Sequence, residues 1–326
     1  MKRKVTLLSL CIVAMVVMLT FVSPITAHAD LGPKPSINIT FDNLSDETLY
    51  ATVLSQNITT GPYSAYAPDE GWDYKNLGMY DSNYNDNPDY HNEQLERIWQ
   101  TFVDYEDAAD GYYFLQRWWE IGGDNNKVIW SYYPPYSFKL LLFNPTNGVF
   151  VSSGIYERYA FDSYYTVDMT NVNELLLNPD TNGGAARPTP SDDIRIELVT
   201  SYDYTWEIIS LLCRIVLTIG IEMLVALIFR IKGRKALLTI LITNVVTQIA
   251  LNVALNVLVY LEGFMMLIFL YLPLELGVLF VEAVTYSIAL HKQGVPVWKS
   301  LLYALVANVA SGGLGFVLAW FVPGLL

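Results

Sequence analysis

Four carboxyl or guanidinium groups sit where hydrocarbon is expected, and they are the residues of this chain whose placement most invites chemistry. Glu222, Glu275, Glu282 and Arg214 all lie inside long apolar runs near the C-terminus. A charge in a bilayer is expensive, so such groups turn toward a protein interior, pair, and mark ion or proton routes. Asn244, Gln248, Asn252 and Asn256 follow one another at spacings of four, which places them on one face of a helix. Arg214, Thr218 and Glu222 share a face in the same way, Glu275 and Glu282 are seven apart, and Asn308 adds an amide to the last run. At roughly 1.5 Å per residue, Arg214, Asn252 and Glu275 fall at one depth and Glu222, Asn244 and Glu282 at a deeper one. This predicts an outer layer built on an Arg214–Glu275 ion pair and an inner layer with two carboxylates. Two close carboxylates cannot both ionise cheaply in a low dielectric, so one should hold a proton or share a cation. The competing reading is helix assembly, since Asn, Gln and Thr also bond across helices and set their register.

The elements that must position these groups are four apolar segments, about 206–229, 236–260, 264–290 and 300–322. Each is long enough to cross a bilayer of about 30 Å, which takes about 20 helical residues. Arg230, Lys232, Arg234 and Lys235 separate the first two, and His291, Lys292 and Lys299 the last two, whereas the middle turn offers only Glu262. Basic short loops stay in the cytoplasm. Both basic loops then lie inside, and residues 30–203 and the C-terminus lie outside. Met1 to Lys4, the apolar run Val5 to Val22 and Ala27-His28-Ala29 read as a secretory signal peptide over residues 1–29.

Residues 30–203 differ in kind. They hold 27 of the 32 acids against nine bases, a formal charge of −18, which disfavours nucleic acid and anionic lipid as partners. The two cysteines, Cys11 and Cys213, both lie outside this stretch, so it has no disulfide framework. Short alternating runs between Asn, Asp, Gly and Pro predict an antiparallel β-rich, sandwich-like α+β domain. Strands are expected at 37–41 and 50–54, joined as a hairpin through 42–47, and at 111–119, 137–143, 148–154, 163–168 and 194–199. Leu95, Ile98, Trp99 and Phe102 predict a helix over 92–105.

Two long loops are expected, 62–91 and 178–192. The first carries Tyr63, Tyr66, Trp72, Tyr74, Tyr80 and Tyr84, rings suited either to core packing or to stacking on a sugar or docking on a protein. Asp81, Asn83 and Asn85 alternate as calcium ligands do, but Asp86 and Asn92 occupy the places of the loop's glycine and final glutamate, which favours a solvated acidic loop. His91 and His291 are far apart and on opposite sides of the expected membrane. No metal-ligand spacing, phosphate-binding glycine loop or nucleophile elbow occurs, so no cofactor and no enzymatic activity is expected.

Ala29-Asp30-Leu31-Gly32-Pro33-Lys34-Pro35-Ser36, Thr52-Val53-Leu54-Ser55, Thr60-Gly61-Pro62-Tyr63-Ser64, Tyr132-Tyr133-Pro134-Pro135, Tyr159-Ala160-Phe161-Asp162-Ser163-Tyr164 and the run Thr243-Asn244 to Leu251-Asn252 resemble a group of membrane proteins of Gram-positive, mostly clostridial, bacteria. The resemblance implies the host group and the two-part architecture, and no site residue. The leading expectation is a non-enzymatic cell-surface module on a membrane anchor, binding an envelope protein or cell-wall glycan and able to dock a partner membrane subunit. The alternative is a small ion- or proton-coupled transporter, or a subunit of one, using the intramembrane glutamates.

Overall fold

The computed structural model describes residues 32–66, 93–105, 111–177 and 196–321, which divide into a β-rich unit, Lys34–Tyr202, and a helical unit beginning at Asp203. The signal-peptide segment, the calcium-like loop with Asp81, Asn83 and Asn85, and His91 lie outside the described residues.

In the β-rich unit, β1 (Ser36–Asp42), β6 (Lys127–Trp130), β10 (Asp162–Asp168) and β11 (Val199–Thr200) form one sheet in the order β11-β10-β1-β6. A second sheet runs β5-β2-β7-β8, from β2 (Leu49–Ser55), β5 (Tyr113–Ile121), β7 (Ser137–Asn144) and β8 (Val149–Ser152), with β9 (Tyr156–Glu157) also on β7. A small hairpin joins β3 (Thr59–Thr60) to β4 (Tyr63–Ser64). The two large sheets share a core: Ile37, Ile39 and Phe41 from one meet Ala51, Val53, Leu140 and Leu142 from the other. Alternation along β1 and β2 sends every second side chain into that core.

The outer face of the second sheet is covered as well. Helix α1 (Glu93–Val103) lays Ile98, Trp99 and Phe102 against Tyr50, Leu54, Phe114 and Phe143, which is why every residue of β2 is buried. Helix α2 (Thr170–Leu177) closes one end of the core with Val172 and Leu176. Its start is held by Asp168, whose carboxylate accepts from Thr170 Oγ1 at 2.6 Å, Thr170 N at 3.0 Å and Asn43 Nδ2 at 3.0 Å. Those bonds, the Thr170 hydroxyl first, pull the Asp168 carboxyl down to about 2.

Three expectations need correction. β1 and β2 are not a hairpin: they belong to opposite sheets, and their apolar faces meet across the shared core instead of pairing edge to edge. The domain is not wholly antiparallel, since β1 and β10 pair in parallel from Ser36↔Asp162 to Asp42↔Asp168. The strand expected at 194–199 is described only as the two-residue β11 and a bridge from Ile196 to Ser153. Strand β6 and helix α2 were not expected.

The helical unit contains α3 (Thr205–Ile228), α4 (Arg234–Glu262), α5 (Phe264–Ala289) and α6 (Val297–Phe321). Asp203 starts it, accepting from Thr205 N at 2.9 Å; the side-chain and then the backbone bond from Thr205 lower its pKa. α3, α4 and α5 are long and apolar enough to cross a membrane. Each of the four helices packs on two others, in the cyclic order α3-α4-α5-α6. Their polarity is inverted relative to a water-soluble helix. Along α4, Asn244, Thr247, Gln248 and Asn252 are buried, while Ile242, Val246, Ile249 and Val253 are exposed. On α3, Glu222 is 1% exposed and Val216 71%. Apolar outside and polar inside is the arrangement that hydrocarbon solvent favours.

Candidate functional site

The inner polar layer assembles from four helices. Glu222 enters from α3 and Glu282 from α5, at 1% and 0% exposure, and the two carboxyl groups come close enough to interact. Two carboxylates this close in a low dielectric cannot both ionise cheaply, which favours a proton on one of the pair. The donors around them are neutral. Glu222 accepts from Asn244 Nδ2 and, at 3.2 Å, from Tyr303 Oη; Tyr286 Oη lies 3.5 Å from the same oxygen. Glu282 accepts from Thr247 Oγ1 at 2.6 Å and Asn308 Nδ2 at 2.7 Å. Asn244 Nδ2 also donates to Tyr286 Oη at 3.0 Å, tying the two halves together.

The α-helical repeat explains this convergence. Asn244 and Thr247 are three apart on α4, and Glu282 and Tyr286 four apart on α5, so each pair presents neighbouring groups on one face. Small residues hold the helices close: Ala226, Ala236, Ala304 and Ala307 are all buried beside the layer. Among the described residues, every donor to the two carboxyls is uncharged.

Arg214, Asn252 and Glu275 also approach one another across the helices. Arg214 Nη1 donates to Asn252 Oδ1 at 3.3 Å and interacts electrostatically with Tyr271 and Glu275. Glu275 and Tyr271, one helical turn apart on α5, interact as well. Glu275 also faces Gly312 of α6, where an added Cβ would sit 3.7 Å from the carboxyl carbon. Asn252 Nδ2 donates to the Gln248 carbonyl at 2.8 Å. Gln248 and Thr218 are buried without joining the carboxyl pair, and Asn256 is half-buried at the end of the stripe.

Sequence reasoning missed Tyr271, Tyr286 and Tyr303. Tyr271 and Tyr286 each stand four residues from a glutamate on α5, the one signal available for them. Tyr303 has no such signal, since its contact with Glu222 crosses from α6 to α3.

In the β-rich unit, Tyr63 packs edge-on against Trp130 with ring centroids 5.2 Å apart, and its hydroxyl accepts from Arg117 Nη1 at 2.7 Å. Tyr66 packs edge-on against Trp99, also at 5.2 Å. Both rings serve the domain's own packing; Trp72, Tyr74, Tyr80 and Tyr84 lie outside the described residues. Aromatic surface is nonetheless present: Tyr113, Tyr136 and Tyr164 are 43%, 57% and 40% exposed. An open cleft of about 610 Å³ is lined by Glu47, Tyr50, Gln94, Glu120 and Thr146. Within it burial, and then the nearby Glu120 carboxylate, raise the pKa of Tyr50. Among the described residues no three His, Cys, Asp or Glu side chains converge as a metal centre would require.

Comparison of this chain with protein-family models, curated proteins and solved structures returned no match.

Proposed function

We propose that this chain is a multi-pass membrane protein of the Gram-positive cell envelope, with its β-rich domain outside, and that its bundle takes up and releases a proton or small cation through the Glu222–Glu282 pair. It is thus read as a small ion-coupled transporter or a subunit of one. The observation that carries this reading is the close approach of two fully buried glutamates inside the helical unit. Amides alone would hold helices together, and at far lower cost: one ionisable side chain at a membrane helix centre costs about 2.5 to 3.5 kcal/mol on insertion scales. A pair placed in contact raises that cost further. The basic residues at the α3–α4 and α5–α6 connections favour the orientation, and the inverted polarity of the helices favours four membrane passes.

The test is ion entry into proteoliposomes loaded with a pH- or cation-sensitive dye under an imposed inside-negative potential. The reading expects entry through the unaltered protein, and its loss in Glu222→Gln and Glu282→Gln with unchanged elution on size exclusion. Equal entry through either variant would remove it.

Exposed Tyr113, Tyr136 and Tyr164 favour a second reading, in which the outer domain binds an envelope protein or wall glycan and the bundle anchors it. Crosslinking in intact cells that captures neither an envelope protein nor wall polymer through the β-rich unit would sink this one.

A further inference from the structure

The two connections at one end of the bundle are built alike, and both carry cations. After α3, Arg230 N donates to the Leu227 carbonyl and Ile231 N to the Ala226 carbonyl, each at 2.9 Å, with Arg230 left-handed at φ 50°. After α5 and the short turn His291–Gln293, Gly294 N donates to the His291 carbonyl and Val295 N to the Leu290 carbonyl, each at 3.1 Å, with Gly294 at φ 85°. Such a pair of bonds around one left-handed residue closes a helix C-terminus and turns the next apolar side chain back onto the helix. Ile231 is accordingly 1% exposed, and Val295 packs on the same core cluster. Arg230, Lys232, Arg234, Lys235 and Lys292 remain exposed on these pinned turns. The turns also abut: Thr239 Oγ1 donates to the Lys235 carbonyl at 2.9 Å and accepts from Gln293 Nε2 at 3.4 Å. No neighbouring acid offsets the charge, since the chain has none between Glu222 and Glu262 and none after Glu282.

We infer that this end of the bundle binds the headgroup phosphate of an anionic phospholipid at the adjoining α3–α4 and α5–α6 turns. The inference rests on the membrane-spanning part of the reading above and not on its ion coupling. Orientation alone asks only that short loops be basic, whatever their shape. Here the shape is specified too. The left-handed position is Gly294 in one turn but Arg230 in the other, although a Cβ is disfavoured there. A cation complementing the α3 dipole could stand elsewhere in the last turn without that strain. A side chain kept at a strained position points to a use for it. Arg offers a phosphodiester a forked pair of donors and Lys a point charge, and basic groups near a membrane surface attract anionic lipid. The apolar residues beside the turns favour a lipid over a soluble phosphate. Trp298, next to Lys299, is 67% exposed, and Leu301 and Leu302 on the following turn of α6 are 45% and 43% exposed. Exposed Trp beside a base suits the headgroup level, with the acyl chains lying along the helix beyond it.

The full chain is reconstituted in phosphatidylcholine vesicles carrying increasing fractions of brominated phosphatidylglycerol or, in parallel, of brominated phosphatidylcholine. Quenching of Trp298 is read as the difference between the emission of the unaltered protein and that of Trp298→Phe. Half-maximal quenching is expected at a phosphatidylglycerol fraction at least about tenfold below the phosphatidylcholine one, since each Lys or Arg near an anionic surface contributes about fivefold. Arg230→Gly keeps the left-handed turn and removes only the guanidinium, so it should raise the phosphatidylglycerol fraction about fivefold without lowering the unfolding temperature in plain phosphatidylcholine. The Lys232→Gln, Lys235→Gln, Lys299→Gln triple variant should make the two fractions equal. Equal quenching by the two headgroups in the unaltered protein, or a preference that survives in the triple variant, would overturn the inference. Loss of the preference in excess soluble glycerol phosphate would assign the site to a free anion and overturn it as well. If neither brominated lipid quenches Trp298, this end meets no membrane, and the membrane-spanning reading falls with the inference. Absence of ion entry in the proteoliposomes beside a clear phosphatidylglycerol preference would remove the ion coupling and leave the lipid site standing.

Discussion

Tyr303 isolates the worth of a single donor to the carboxyl pair, because its hydroxyl reaches both the Glu222 carboxylate at 3.2 Å and the Glu222 carbonyl at 3.3 Å. Tyr303→Phe keeps the ring that packs on Phe229 and Tyr286 and removes only that hydroxyl. Hydrogen bonds between membrane helices average about 0.6 kcal/mol and reach about 1.7 kcal/mol. Tyr303→Phe is therefore expected to destabilise the bundle by about 0.6 to 1.7 kcal/mol, read as the shift in a detergent-denaturation midpoint. A much larger loss would mean that the ring, not the bond, was disturbed. Glu222, Asn244, Glu282 and Asn308 were legible in the sequence because an acid or amide interrupts an apolar run and cannot face lipid cheaply. Tyrosine is ambiguous there: its ring is apolar and it also suits the membrane interface, so composition did not mark Tyr286 or Tyr303 as partners. The same ambiguity hid Tyr63 and Tyr66, whose rings turned out to pack on Trp130 and Trp99.

Between residue and molecule, two elements of the β-rich unit carry definite expectations. Phe102, fully buried, fixes α1 to the outer face of the second sheet. Phe102→Ala should cost about 3–5 kcal/mol by removing a large buried side chain, measured as the loss in chemical-denaturation midpoint of the β-rich unit's transition. Asp168 joins the ends of β1 and β10 to the start of α2. Its pKa lies below the unfolded value, so its contribution is complete above about pH 4 and is lost as pH falls toward about 2. Asp168→Asn should lower the unfolding temperature at neutral pH and flatten its fall between those two values; an unchanged acid profile would show that the cap contributes nothing. The helix over α1 and most strands were legible from period alone, whereas pairing was not. β1 finds β10 more than a hundred residues away, in parallel, and nothing local encodes that choice. β2 reads as half-buried by alternation, yet a helix covers its other face and buries it throughout.

For the whole molecule, the four helices and the acidic unit before them make one claim about orientation. Asn57 lies exposed in the β-rich unit and Gln293 in the turn between α5 and α6, on the basic side. With Cys213 replaced by Ser, Asn57→Cys should react with a membrane-impermeant maleimide in intact cells, and Gln293→Cys only after permeabilisation. Reaction of Gln293→Cys in intact cells would reverse the topology. The boundaries of the apolar segments were legible to within a few residues, because length and hydropathy answer to bilayer thickness. What the paired glutamates do was not legible, because contact between α3 and α5 arises only once the helices are packed. The central claim, that Glu222 and Glu282 share a proton inside the bundle, is tested most directly by infrared spectroscopy of the protein in lipid at neutral pH, following the stretch of protonated carboxyl groups. The account predicts a protonated-carboxyl band that disappears in the Glu222→Gln, Glu282→Gln double variant; a spectrum without that band, or a band unchanged in the double variant, would contradict it.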